Sequence, residues 1–271
     1  MDKLIEYLQV EKEKSLPFEG KDPWRLVEDM LPYIGHEDPR IRDGIIYECL
    51  AIISGRLSKE ERVKLSSLYL SADYLFYDVE NKEETSVLTR SFTLLQLVVL
   101  LYYHNQEALL DEEFVANIAR AMVDYLGKEQ VLEGYDPVLG WKHTLAHSAD
   151  VLGQLLLSKE LRDVDKENLL DQFLLKVQVG DYSYGHNEDE RIVDALEKGI
   201  KSGTLSSDEL IAFASKATIY EGDKTNVYFM VRKRNVKHLL RSMYFRFKDD
   251  DLALKDGIEE ALKRNREKKK S

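Results

Sequence analysis

The chain is poor in the residues that make bridges, tight turns and membrane spans. It holds one cysteine in 271 residues, so no disulfide can close within it. Cys49 stands in the apolar run Ile45-Ile46-Tyr47-Glu48-Cys49-Leu50-Ala51-Ile52-Ile53, which reads as a buried structural thiol rather than a nucleophile. Five prolines and 14 glycines are too few for the turns of a sandwich or barrel. The longest apolar stretch, Phe92 to Tyr103, is broken by Thr93 and Gln96 and falls short of the roughly 20 residues a bilayer span needs. The opening Met1-Asp2-Lys3-Leu4-Ile5-Glu6 has no apolar signal core. The expected location is therefore cytoplasmic, with no membrane partner. A Gly-rich phosphate loop, a CxxC pair and a GxSxG elbow are all missing, so no named reaction is favoured.

What remains is helical. The hydrophobic content of 44% suffices for a sizeable core. Apolar residues recur at helical spacing, with helices expected near 1–14, 23–34, 39–54, 59–77, 86–103, 111–126, 139–157, 166–179, 187–201, 206–218, 226–247 and 250–267. Start signals are plain: Asp38-Pro39, Ser58 before Glu60-Glu61, Ser207 before Asp208-Glu209, and Asn187 with Glu190 three residues on. Arg42 and Arg90 lie 48 residues apart near the starts of second helices, and Arg191 lies 101 beyond Arg90, about two further periods. Two helices per period of that size point to an all-α, HEAT/armadillo-like α-solenoid of about five helix pairs. A compact α/α bundle is the alternative. One repeat domain over 1–271 is expected, with 263–271 as a frayed basic tail.

The helix expected near 139–157 carries two faces. Leu145, Ala149, Leu152 and Leu156 make a core stripe, and His143, His147, Asp150 and Gln154 repeat that spacing on nearly the opposite side. On a solenoid's inner layer this polar stripe would line a concave groove. Histidines at i, i+4 can share a metal ion, with Asp150 as a third ligand. His143, His147 and Asp150 are thus candidate ligands to a divalent metal, although the motif lacks the glutamate of H-E-x-x-H. Trp141, Tyr184, His186 and Arg191 join the candidate set, since adjacent helix starts in a solenoid share a rim. Each has a plain structural alternative as packing residue, cap or surface polar group.

Gly140-Trp141-x-His143-x-x-Ala146-His147-x-x-Asp150, followed by Glu188-Asp189-x-Arg191, resembles the hallmark of an uncharacterised family of bacterial all-helical proteins, a domain of unknown function. The resemblance implies a HEAT-like fold over most of the chain and no established activity, and it carries no catalytic residues with it.

Charge is unevenly spread. Residues 224–271 hold 15 Lys and Arg against 7 Asp and Glu, whereas residues 1–223 hold 24 against 43. From Lys224 to Lys248 there is no acid, and Arg234, Lys237 and Arg241 form a basic ridge. The readings that stand are a groove protein binding a peptide, protein segment or small ligand, an enzyme using the same residues, and a phosphate or nucleic-acid binder through the helix near 226–247. The acidic body repels polyanions. Binding to duplex DNA or RNA at about 0.15 M salt is therefore expected to be no tighter than the non-specific range of about 10⁻⁴–10⁻⁶ M. Sub-micromolar binding in a fluorescence-polarisation titration overturns that expectation.

Overall fold

The computed structural model describes residues 2–81, 85–108, 111–219 and 225–266. Among these the chain is mostly helical, with one two-stranded sheet. The helices are α1 (Asp2–Glu13), α2 (Pro23–Met30), α3 (Pro39–Ile41), α4 (Glu48–Ser54), α5 (Lys59–Tyr69), α6 (Ser86–Glu107), α7 (Glu112–Lys128), α8 (Thr144–Leu155), α9 (Asp163–Val177), α10 (Glu188–Ser202), α11 (Ser207–Ala217), α12 (Val227–Phe247) and α13 (Leu252–Arg266). The strands are β1 (Tyr135–Asp136) and β2 (Gly140–Trp141).

Side-chain caps explain many of the starts. Asp22 and Asp38 accept from Trp24 N and Arg40 N, each with proline at the first helical position. Ser58 with Glu61, and Ser206 with Glu209, form reciprocal capping boxes. Such caps contribute about 1 kcal/mol each. Ser206, not Ser207, is the cap of α11. Asn187 makes no cap hydrogen bond and lies in the left-handed region at φ 65°, so the box expected with Glu190 does not form.

Other boundaries also move. α5 stops at Tyr69 because Ser71 Oγ captures Asp73 N at 3.2 Å, a local bond that competes with the helix. α3 and α4 are joined without a break by a π-helical stretch, Arg42–Tyr47, so the expected helix from Pro39 to Ser54 is continuous but wider and underwound in the middle. α6 runs on to Glu107. By length and composition α6 could cross a membrane, yet 67% of its apolar window is buried inside the protein, as befits a core helix. Lys263 and Arg264 lie in α13, paired one turn back with Glu259 and Glu260. Residues 267–271 of the expected tail and Lys224 lie outside the described residues.

The helices pack in two rows. In one, α4 packs on α6, α6 on α8, α8 on α10 and α10 on α12. In the other, α7 packs on α9, α9 on α11 and α11 on α13. One apolar core runs between the rows from Ile5 to Leu262. Cys49 is buried in it, and burial pushes its thiol up to about 12, so it is inert at neutral pH.

Three arginines near helix starts tie neighbouring helices and segments together. Arg42 donates to His36 O, Glu37 O and, across 97 residues, Leu139 O at 2.9 Å. Arg90 forks onto Glu129 at 2.7 and 3.0 Å, and both side chains are buried. Arg191 holds Asp150 through both carboxylate oxygens. Removing one partner of a buried pair strands the other's charge at a cost of about 3–5 kcal/mol. Glu129→Ala is expected to lower the unfolding free energy in urea by that amount, and the double change Arg90→Met with Glu129→Leu to recover most of it. Equal losses in both variants would show that packing, not charge, is lost.

Candidate functional site

The site is set by the segment that joins α7 to α8. Glu129 ends α7 and accepts from Tyr125 OH at 2.8 Å and Val131 N at 2.9 Å, besides Arg90. Val131 and Leu139 pack with Val87 and Leu88 in a small separate apolar cluster. Asp136 Oδ1 accepts from Val138 N and Leu139 N, each at 2.8 Å; these bonds hold its carboxyl below the usual range. Gly140, at φ 79°, takes a backbone conformation that side chains disfavour. β1 then pairs antiparallel with β2, Tyr135 opposite Trp141. Gly134 O accepts from Lys142 N and His143 N.

These bonds delay α8. His143 is left-handed at φ 40° and the helix opens at Thr144, so the expected start near Gly140 is corrected. The reason is the turn chemistry of Asp136 and Gly140, which helical spacing does not reveal. Leu145, Ala149, Leu152 and Leu156 are buried, as a core stripe should be.

The polar stripe is spent largely on helix contacts rather than an open groove. His147 is only 6% exposed. Its Nδ1 lies 2.8 Å from Ser91 Oγ and 3.2 Å from Ser91 O, while the Ser91 hydroxyl donates to Lys142 O. That donation leaves His147 Nδ1 to carry the proton. Burial first, then His143 and Arg191, push its pKa down to about 3. The expectation that His147 lines an open groove is therefore corrected: α8 packs between α6 and α10, and His147 lies against α6. Asp150 is taken by Arg191. Gln154 Oε1 accepts from Asn105 at 3.1 Å. Tyr184 is buried, and its hydroxyl donates to Lys176 O at 3.0 Å. Among the described residues no group of three or more His, Cys, Asp and Glu side chains is placed to hold a metal ion.

Other rings do converge. The Trp141 ring lies tilted 4.4 Å from His143 and edge-on 4.7 Å from Tyr135. His186, from the loop before α10, lies 5.9 Å from Trp141 and 6.5 Å from His143. Trp141 and Tyr135 stay 44% and 43% exposed. Burial, followed by Arg191 and His186, lowers the His143 pKa to about 4, so its imidazole is neutral at pH 7. Among the described residues three buried atoms here have no hydrogen-bond partner: His143 Nε2, and His186 Nδ1 and Glu188 Oε1, which stand 3.9 Å apart.

Beside the rings opens a cleft of about 380 Å³, lined by Gln130, Glu133, Asp136, Lys142, Asp181 and Tyr182 among others. Lys142 is buried, and its nearest acid is Asp136 at 4.0 Å. Tyr135, Asp136 and Lys142 are the residues that sequence reading misses. Asp136-Pro137 is a turn signal that could have flagged the first two. Nothing in the sequence marks Lys142 as buried.

The basic helix α12 is partly neutralised from within. Arg246 reaches Asp194, Glu197 and Glu190 of α10 at 2.6, 3.1 and 3.3 Å. Arg234, Lys237 and Arg241 form no ion pair among the described residues.

A family model described as a protein of unknown function (DUF2785) matches residues 75–245, a span that contains the whole site. No curated protein and no solved structure matches the chain.

The buried imidazole leaves a pH signature. Folded His147 stays neutral down to about pH 3, while an unfolded histidine takes its proton near 6.5. Between these values the unfolded chain binds more protons, so stability falls as the pH drops. The slope is about 1.4 kcal/mol per pH unit for each histidine kept neutral. His147→Gln is expected to flatten the acid-side loss in urea titrations between about pH 6 and 4. An unchanged slope would mean that this imidazole titrates in the folded chain.

Proposed function

The chain belongs to the DUF2785 family, and from the site inside the matched residues we propose a binding module. In this reading the two helix rows stack as a HEAT-like solenoid, and the recognition surface is the rim at Tyr135, Trp141 and His186 together with the cleft that Tyr135 lines. The occupant is a peptide segment or a small polar ligand.

One observation carries the reading. Two large aromatic side chains stand nearly half exposed as a cross-strand pair, and one of them, Tyr135, lines a cleft edged by Glu133, Asp136, Asp181 and Lys142. Fixed aromatics with adjacent polar groups are what recognition sites present, because they give contact area at little entropic cost. His147, Asp150 and Gln154 then act as the frame behind the site rather than its surface.

Trp24 and Trp141 are the only tryptophans, which provides a direct test. In a Trp24→Phe background, Trp141 reports alone. Titration with short peptides of opposite charge and with free amino acids, in the presence of a chelator, is expected to give a saturable fluorescence change with at least one probe. Tyr135→Ala should weaken it at least tenfold without shifting the melting temperature, since Tyr135 is exposed. No response from any probe at about 1 mM, equivalent to about −4 kcal/mol, refutes the reading.

A further inference from the structure

The cleft that Tyr135 lines holds a buried charge whose hydrogen bonds are unmade. Lys142 lines it, and the Lys142 side chain is only 5% exposed. The backbone N–H of Lys142 is spent on Gly134 O and its carbonyl accepts from Ser91, so the group left for the cleft is the ammonium. Among the described residues Nζ makes no hydrogen bond. Its nearest acid oxygen, Asp136 Oδ2, stands 4.0 Å away, outside hydrogen-bond reach. Asp136 is held back from closing that gap, because its Oδ1 accepts from Val138 N and Leu139 N at 2.8 Å each. A buried ammonium with three donors and no acceptor is costly, and an anionic group in the cleft would satisfy it.

The rest of the lining has the opposite sign. Glu133 and Asp181 line the same cleft and form no ion pair among the described residues. Lys176, whose ammonium feels Asp181, donates to Glu129 O instead. With Lys142 counted against Asp136, the lining keeps the two negative charges of Glu133 and Asp181, which repel phosphate and dicarboxylates. Tyr135 and Tyr182 add aromatic rings to the wall, and ring faces attract cations. A volume of about 380 Å³ lies at the small end of ligand sites. The occupant that fits is small and carries one carboxylate with more than one positive charge.

We propose that the cleft binds a free basic α-amino acid, of the arginine and lysine class. Its carboxylate meets Lys142 Nζ, its α-ammonium meets Asp136 Oδ2, and its side-chain cation lies by Glu133 and Asp181 beside the tyrosine rings. One tetrahedral carbon joins ammonium to carboxylate in an α-amino acid, so its two charges sit a few ångströms apart. Lys142 and Asp136 present the complementary pair 4.0 Å apart, and the ligand uses that pair at the separation it already has. The inference rests on the binding-module reading and narrows its occupant to a small ligand, since an internal peptide residue offers neither α-charge.

The test is isothermal titration calorimetry of the full-length protein at low ionic strength, where charge pairing is least screened. L-arginine and L-lysine are each expected to bind one to one with Kd below about 1 mM. Agmatine, which lacks the carboxylate, and norleucine, which lacks the side-chain cation, should bind at least tenfold more weakly. Inorganic phosphate and succinate should give no binding heat. Lys142→Met should abolish arginine binding without lowering the melting temperature, since it removes a buried charge that makes no hydrogen bond. Glu133→Gln with Asp181→Asn, both at exposed positions, should cut arginine affinity at least tenfold and leave the melting temperature unchanged. No heat from either basic amino acid at about 1 mM overturns the proposal. So does arginine binding that survives Lys142→Met, or agmatine binding as tightly as arginine; the agmatine comparison uses the native chain and decides the matter even if Lys142→Met fails to fold. Silent calorimetry beside a Trp141 response to a peptide removes this ligand and leaves the rim site standing, and silence in both removes both.

Discussion

Arg90 and Glu129 place opposite charges in the interior, and the geometry of the site hangs from their pair. Two charges taken out of water cost several kcal/mol each, recovered only when every lone pair and proton is met. Here they are met: Glu129 accepts from Arg90, Tyr125 and Val131 N, and Arg90 also donates to Tyr77 O and Ser86. The bond to Val131 N turns the chain as it leaves α7. The small apolar cluster, the β1–β2 pair and the left-handed His143 follow from that turn.

The same device recurs along the chain. Arg42 reaches the carbonyl of Leu139, and Arg191 reaches the carboxylate of Asp150. Each guanidinium joins the start of one helix to a neighbouring helix or to the segment that leads into one. A fixed planar fork suits this, since it satisfies several acceptors at once where an ammonium would satisfy them singly and loosely. The consequence is a rigid frame around α8, which packs on α6 and α10 and exposes little of itself.

Rigidity and electrostatics act together at the rim. Rings follow one another inward from Tyr135 and Trp141 through His143 to His147 and Phe92, with Arg42 over the last at 4.6 Å. Burial keeps the inner imidazoles neutral, and the arginines behind them act in the same direction. Neutral imidazoles retain a lone pair, which suits them to accept a hydrogen bond or bind a cation rather than hold an anion.

The sequence by itself determined the helical class, most of the helix starts and the core stripe of α8. These depend on caps a few residues away and on a repeat of 3.6, both written locally. It also brought His186 into one neighbourhood with Trp141 and His143, through the adjacency of successive helix starts. Only the tertiary structure decided which polar residues face solvent. His147 and Asp150 have the spacing of a surface stripe, but their partners Ser91 and Arg191 lie 56 and 41 residues away, and no local pattern encodes that separation. Lys142 and Glu188 are charged and yet buried, because neighbouring segments close over them. Burial of a polar group depends on what packs against it, and that is a property of the stacked helices, not of the turn that carries the residue.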